Sequence, residues 1–115
     1  MTIARHSAGP RMSGAVVHNN TVYLAGQVAA DPSAGVKGQT EQVLKKIDDL
    51  LKAAGTDKSK LLSATIYLAD IRGFEEMNAA WDAWVTPGST PGRATVEARL
   101  ASPKFLVEIV AIAAA

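Results

Sequence analysis

Hydrophobic and polar positions change period repeatedly along the chain, and each change marks an element. Ala15-Val16-Val17-His18 and Thr21-Val22-Tyr23-Leu24-Ala25 are two short β-type runs, and Asn19-Asn20 between them suits the positive φ of a two-residue hairpin turn. Gly26 follows, then a loop from Ala29 to Gly38. Val43, Leu44, Ile47, Leu50, Leu51 and Ala54 recur at steps of three and four and predict a first helix, with Thr40 as its cap and Gly55 as its stop. Leu62, Ala64, Ile66 and Leu68 alternate with Ser63, Thr65 and Tyr67, the pattern of a strand with one buried face. A second helix carries the stripe Phe74, Met77, Asn78, Trp81, Trp84 and Val85, opened by Asp70 and closed by Pro87-Gly88. In the next strand Ala94, Val96, Ala98 and Leu100 face one way and Arg93, Thr95, Glu97 and Arg99 the other. Ala101-Ser102-Pro103 breaks that run, and Phe105 to Ala113 forms the last strand.

The predicted order is ββαβαββ, an α+β fold in two layers, occupying residues 1–115 as one domain. Two helical crossovers of the usual hand place both helices on one face of a mixed sheet. The last strand is apolar on both sides, with Leu106, Val110 and Ile112 alternating with Val107, Ile109, Ala111 and Ala113. Two helices cover one face only, so the second cover is expected from another copy of the chain.

Composition narrows the chemistry. With 115 residues and 48% hydrophobic side chains the chain builds a single core. It contains no cysteine, which excludes disulfides, a thiol nucleophile and thiolate metal sites. The start, Met1 to His6, has no secretory apolar stretch, and a cytoplasmic location is the default expectation. No apolar run is long enough to span a membrane. The net charge of +1 does not suit a nucleic-acid-coating protein, and the five lysines from Lys45 to Lys60 are interleaved with Asp48, Asp49 and Asp57 as on a solvated face. His6 and His18 are the only histidines, with no carboxylate at helical ligand spacing, so no metal site is expected.

Four residues invite chemistry. Glu108 is the only charge between Phe105 and Ala115, either an ion-pair partner for an arginine of the neighbouring strand or a carboxylate that handles water. Arg93 follows Pro91-Gly92, and is a surface arginine, a partner of Glu97 or Glu108, or an anchor for an organic acid. Asn78 interrupts an apolar stripe and either fastens a loop or meets ligand. Gly26 is either a plain turn or an exposed backbone N–H.

Three segments resemble the reactive-intermediate deaminase family, also called RidA or YjgF/L-PSP. They are Tyr23-Leu24-Ala25-Gly26-Gln27-Val28, Gly73-Phe74-Glu75-Glu76-Met77-Asn78, and Pro91 to Leu100 together with Val107 to Ala113. The resemblance spans nearly the whole chain in order and spacing. It implies the ββαβαββ fold, a homotrimer with a ligand cleft at each subunit interface, and no cofactor. It also implies hydrolysis of 2-imino acids such as 2-aminoacrylate or 2-iminopropanoate to 2-keto acids and ammonia, a 2-iminobutanoate/2-iminopropanoate deaminase-like activity. Arg93 matches the family's carboxylate clamp, Glu108 the glutamate beside the attacking water, and Gly26 the glycine whose N–H fixes substrate; Asn78 and Thr95 complete the cleft. The chain departs from the best-studied branch at Arg11, which follows Gly9-Pro10 where that branch has tyrosine, at Thr95 in place of cysteine, and at Ala25 in place of serine. Arg11 makes the cleft more cationic and implies a larger substrate or one with a second anionic group. A non-catalytic binder of small organic acids is the alternative. A ribonuclease or translation-inhibitor role finds no histidine pair or basic stripe here.

Overall fold

The computed structural model describes residues 2–115. Its elements are β1 (Ala4–Ala8), β2 (Ser13–His18), β3 (Thr21–Leu24), α1 (Val36–Ala53), β4 (Leu61–Leu68), α2 (Phe74–Trp84), β5 (Gly92–Glu97) and β6 (Val107–Ala114). The six strands form one sheet in the order β1-β2-β3-β6-β4-β5, antiparallel throughout except for the parallel pair β4–β5. The order ββαβαββ is therefore present, preceded by one strand that the hydrophobic pattern does not announce. The sequence of β1, Ala4-Arg5-His6-Ser7-Ala8, is mostly exposed and joins the sheet by main-chain pairing with β2.

The hairpin β2–β3 turns on Asn19 and Asn20 at φ of 52° and 63°, the two positive values a type I′ turn requires. The core lies between the sheet and both helices. It joins Val43, Leu44, Ile47 and Leu51 of α1 and Met77, Ala80 and Trp81 of α2 to Val22, Leu24, Ala64, Ile66, Leu68, Val107, Ile109, Ala111 and Ala113.

Three local expectations are corrected. Thr40 does not cap α1; the helix begins a turn earlier at Val36 after Gly35, and the Thr40 hydroxyl donates to the Val36 carbonyl inside the helix. Gly38 hides that first turn, because glycine weakens a helical signal by about 1 kcal/mol relative to alanine. At the other end Gly55 does stop the helix: it sits at φ +84°, with its N–H on Lys52 O and that of Thr56 on Leu51 O. Asp70 caps a single 3₁₀ turn, Ile71–Gly73, that leads into α2, by accepting from the Arg72 N–H. Leu62 does not face the core with Ala64: an irregularity in the β4–β6 register between Leu61 and Ser63 turns Leu61 inward and leaves Leu62 54% exposed.

The last strand begins at Val107, two residues later than expected, and its two apolar faces are treated differently. Val107, Ile109, Ala111 and Ala113 are buried under the helices, whereas Glu108, Val110 and Ile112 are half-buried on the open face. Direct pairs place Tyr23 beside Ile112, Thr65 beside Val110, and Tyr67 between Glu108 and Val96 on that face. Tyr23 and Val96 are largely exposed there.

Candidate active site

β5 is an edge strand, and each of its residues shares a sheet face with its partner on β4. Arg93 pairs with Ala64, whose side chain enters the core, so Arg93 is directed to the helix layer. Its guanidinium carbon lies 5.3 Å from the Trp81 ring centre and 5.8 Å from that of Phe74. Phe74, Asn78 and Trp81 follow at steps of four and three, so Asn78 lies between the two rings on one face of α2. Thr95 shares the face of Arg93, and its hydroxyl oxygen is buried with no hydrogen-bond partner.

The ion-pair alternatives for Arg93 are not found. Among the described residues the two ion pairs are Lys45–Asp49 and Arg72–Asp70. Glu97 instead accepts a hydrogen bond from the Ile71 N–H at 3.0 Å. Glu108 has no arginine either, since its neighbour in register is Tyr67.

A second group forms at the other end of the sheet. Gln27 N donates to Ile109 O at 2.9 Å and Ile109 N donates back to Gln27 O at 3.1 Å, which clamps Gly26 alongside Glu108. A Cβ built on Gly26 would overlap the Glu108 carboxylate. Gly26 is thus required by close approach: its bare α-carbon is the seat of the carboxylate. Ala25 N donates to Gly14 O at 2.9 Å, which brings the β1–β2 turn to the same end. Arg11 stands exposed on that turn.

The two groups do not meet within one chain. Arg93 is in register with Ala64, and Ala64 with Ala111, three residues beyond Glu108. Strand spacings put them about 10 Å apart across the sheet and about 10 Å along it. They also point to opposite faces. One half therefore holds Arg93 and Thr95, with Asn78 on the α2 stripe between Phe74 and Trp81, and the other Gly26 and Glu108, with Arg11 exposed on the turn at that end of the sheet.

A cavity of about 810 Å³ opens where β5 gives way to the segment leading into β6, lined by Ala69, Phe105 and residues 97–103. It contains neither Arg93 nor Glu108. Among the described residues no three histidine, aspartate or glutamate side chains converge as a metal site would require, and no helix is long and apolar enough to cross a membrane. Sequence reasoning passed over Phe74 and Trp81 as functional residues; their helical stripe was visible, but its apposition to β5 was not.

Comparison with known proteins places the chain in a family. The family described as Endoribonuclease L-PSP matches residues 2–115. A RutC family protein of Haemophilus ducreyi is 48% identical over 112 residues, covering 97% of this chain and 96% of the relative. A mouse protein named 2-iminobutanoate/2-iminopropanoate deaminase is 36% identical over 118 residues, 97% of this chain and 86% of its own. The crystal structure of a YjgF family member from Neisseria meningitidis superposes with a TM-score of 0.97 at 45% identity, covering 99% of this chain and 95% of that one. With the family model matched over residues 2–115 and a relative 48% identical over 97% of its length, this chain belongs to the RidA/YjgF/L-PSP family.

Proposed function

We propose that the protein hydrolyses 2-imino acids to 2-keto acids and ammonia in a cleft built from two copies of the chain. The observation that carries this is the split site: an arginine without a carboxylate partner on one sheet face and a glutamate seated on a glycine on the other. A second copy laid over the half-buried open face would bring Glu108 of one protomer toward Arg93 of another. It would also cover Tyr23, Val110, Ile112 and Val96, and a closed trimer does this for every copy.

Each residue then has a task that follows from its chemistry. The planar guanidinium of Arg93 takes the substrate carboxylate through two parallel N–H donors. The Asn78 amide and the Thr95 hydroxyl supply further hydrogen bonds, and the Gly26 N–H a further donor. Glu108 accepts a proton from water as its oxygen attacks C2 of the imine. A tetrahedral amino alcohol forms as that proton passes to nitrogen; Glu108 then relays the hydroxyl proton to nitrogen as the C–N bond breaks, and 2-keto acid and ammonia leave. Water supplies the oxygen, so the reaction consumes no oxidant or reductant. The rate gain comes from orientation and from placing charge where it develops. Arg11, at the Glu108 end, favours a substrate with a second anionic group.

The name of the mouse relative supports this reaction. Nucleolytic chemistry finds no pair of histidines: His6 pairs with Ala15, and His18 lies three residues further along the adjacent strand, on the other face. The test is to mix the protein with a threonine or serine dehydratase, which releases the imino acid, and follow keto-acid formation. Acceleration over spontaneous hydrolysis is expected. No acceleration, together with saturable binding of a 2-keto acid, would replace the reaction by simple organic-acid binding.

A further inference from the structure

We infer that Phe74 and Trp81 are positioning residues for Arg93, holding its guanidinium over their rings so that its N–H donors are left for a carboxylate. The inference rests on the proposed carboxylate anchor and adds how that anchor is held. The guanidinium carbon lies 5.3 Å from one ring centre and 5.8 Å from the other. Trp81 is a core residue at 6% exposure, and Phe74 is an exposed large apolar side chain at 36%. The core does not require Phe74; its stripe position over Arg93 gives it a use.

The geometry fits the donor chemistry. An aromatic face attracts a cation through its quadrupole without accepting a conventional hydrogen bond. Neither ring accepts a conventional hydrogen bond, so these contacts leave the five N–H donors of arginine unspent for a ligand. An ion pair within the chain would have consumed them, and Arg93 takes part in neither of the two ion pairs. Ordering the long side chain before the ligand arrives removes part of the entropy cost of binding. Lysine cannot substitute, because ammonium has no fork to present.

The experiment titrates 2-oxobutanoate calorimetrically into wild type, Phe74→Leu, Phe74→Tyr and Arg93→Ala, and measures imine turnover on the same proteins. Phe74→Leu is expected to raise the dissociation constant and KM about three- to tenfold while kcat is kept. Phe74→Tyr, which retains the ring, restores both. A merely structural role would instead lower thermal stability with the constants unmoved. Trp81 adds a spectroscopic arm. In a Trp84→Phe background, which removes the second indole 5.5 Å away, Arg93→Ala should change Trp81 emission in the ligand-free protein. Unchanged emission overturns the contact directly, with no reference to substrate. Wild-type affinity in Phe74→Leu alongside lost affinity in Arg93→Ala overturns the positioning role and leaves the anchor standing. A wild type that binds no 2-keto acid overturns the proposed anchor itself.

Discussion

Gly26→Ala separates site geometry from folding more cleanly than any change to a polar residue. Gly26 is not at a positive φ, so alanine meets no backbone penalty there. The nearest atoms the added methyl meets all belong to the Glu108 side chain, its carboxylate first. An ordinary contact needs about 3.5 Å, so the carboxylate must swing away by about 1 Å. The swing forces an off-rotamer side chain at a cost of about 0.5–1.5 kcal/mol. Lower backbone entropy in the unfolded chain offsets this by about 0.4–1 kcal/mol. Stability therefore changes by less than about 1 kcal/mol, within roughly 4–8 °C of melting temperature. Turnover is far more sensitive, because a 1 Å misplacement of a catalytic group costs about a hundredfold. The assay is dehydratase-coupled keto-acid release, with melting temperature and light-scattering mass measured on the same sample. A Gly26→Ala, Glu108→Gln double variant should be no slower than Glu108→Gln alone, since both remove one function. Wild-type turnover in Gly26→Ala would refute the seat; a melting temperature lower by 15 °C would show that the contact supports the fold instead.

Other expectations follow from the same geometry. Glu108→Gln should keep 2-keto acid binding and assembly while turnover falls about 10²–10⁴-fold; unchanged turnover in a folded variant would remove Glu108 from the mechanism. Thr95→Val deletes a buried hydroxyl oxygen that has no partner, so the melting temperature should rise by roughly 4 °C or more, and a fall would mean that the hydroxyl is satisfied in the assembled protein. Hydrogen bonds from the Ser33 and Ser59 hydroxyls hold Asp31 and Asp57 below the ordinary carboxylate value, and the Arg72 guanidinium lowers Asp70 to about 2. Stability from these groups is complete above the unfolded carboxylate range and is lost as pH falls through the folded values. The melting temperature should therefore decline from about pH 4 toward pH 2, less steeply in Asp70→Asn, and a flat profile would count against these contacts.

What the sequence revealed and what it hid divide along physical lines. The Asn19-Asn20 hairpin, the α1 stripe and the doubly apolar last strand were legible because each is a local periodicity. β1 was not, since main-chain pairing at an edge leaves no hydrophobic signature. The start of α1 was masked by Gly38 and rests on a tertiary feature: Gln39, fully buried, donates to the carbonyls of Pro32, Ala34 and Lys104 and accepts from the Leu106 N–H. Alternation assigned Leu62 to the core, and the irregularity beside it reversed that assignment. Glu108 stood out as the single charge of an apolar strand, and Arg93 as the arginine that opens its strand after Pro91-Gly92. Their placement on opposite faces depends on strand order and register, which residue spacing does not encode. The Phe74–Arg93–Trp81 contact was hidden for the same reason.

Complementation between inactive variants tests the split site most directly. Arg93→Ala and Glu108→Gln are each expected to be inactive alone. Coexpressed in equal amounts, they form mixed assemblies in which some interfaces join an intact Arg93 from one copy to an intact Glu108 from the next. Random assortment of two half-sites gives about one quarter of wild-type turnover per site. A cleft shared between copies predicts that recovery. Mixed assemblies no more active than either parent would contradict it and return both residues to separate roles within a single chain.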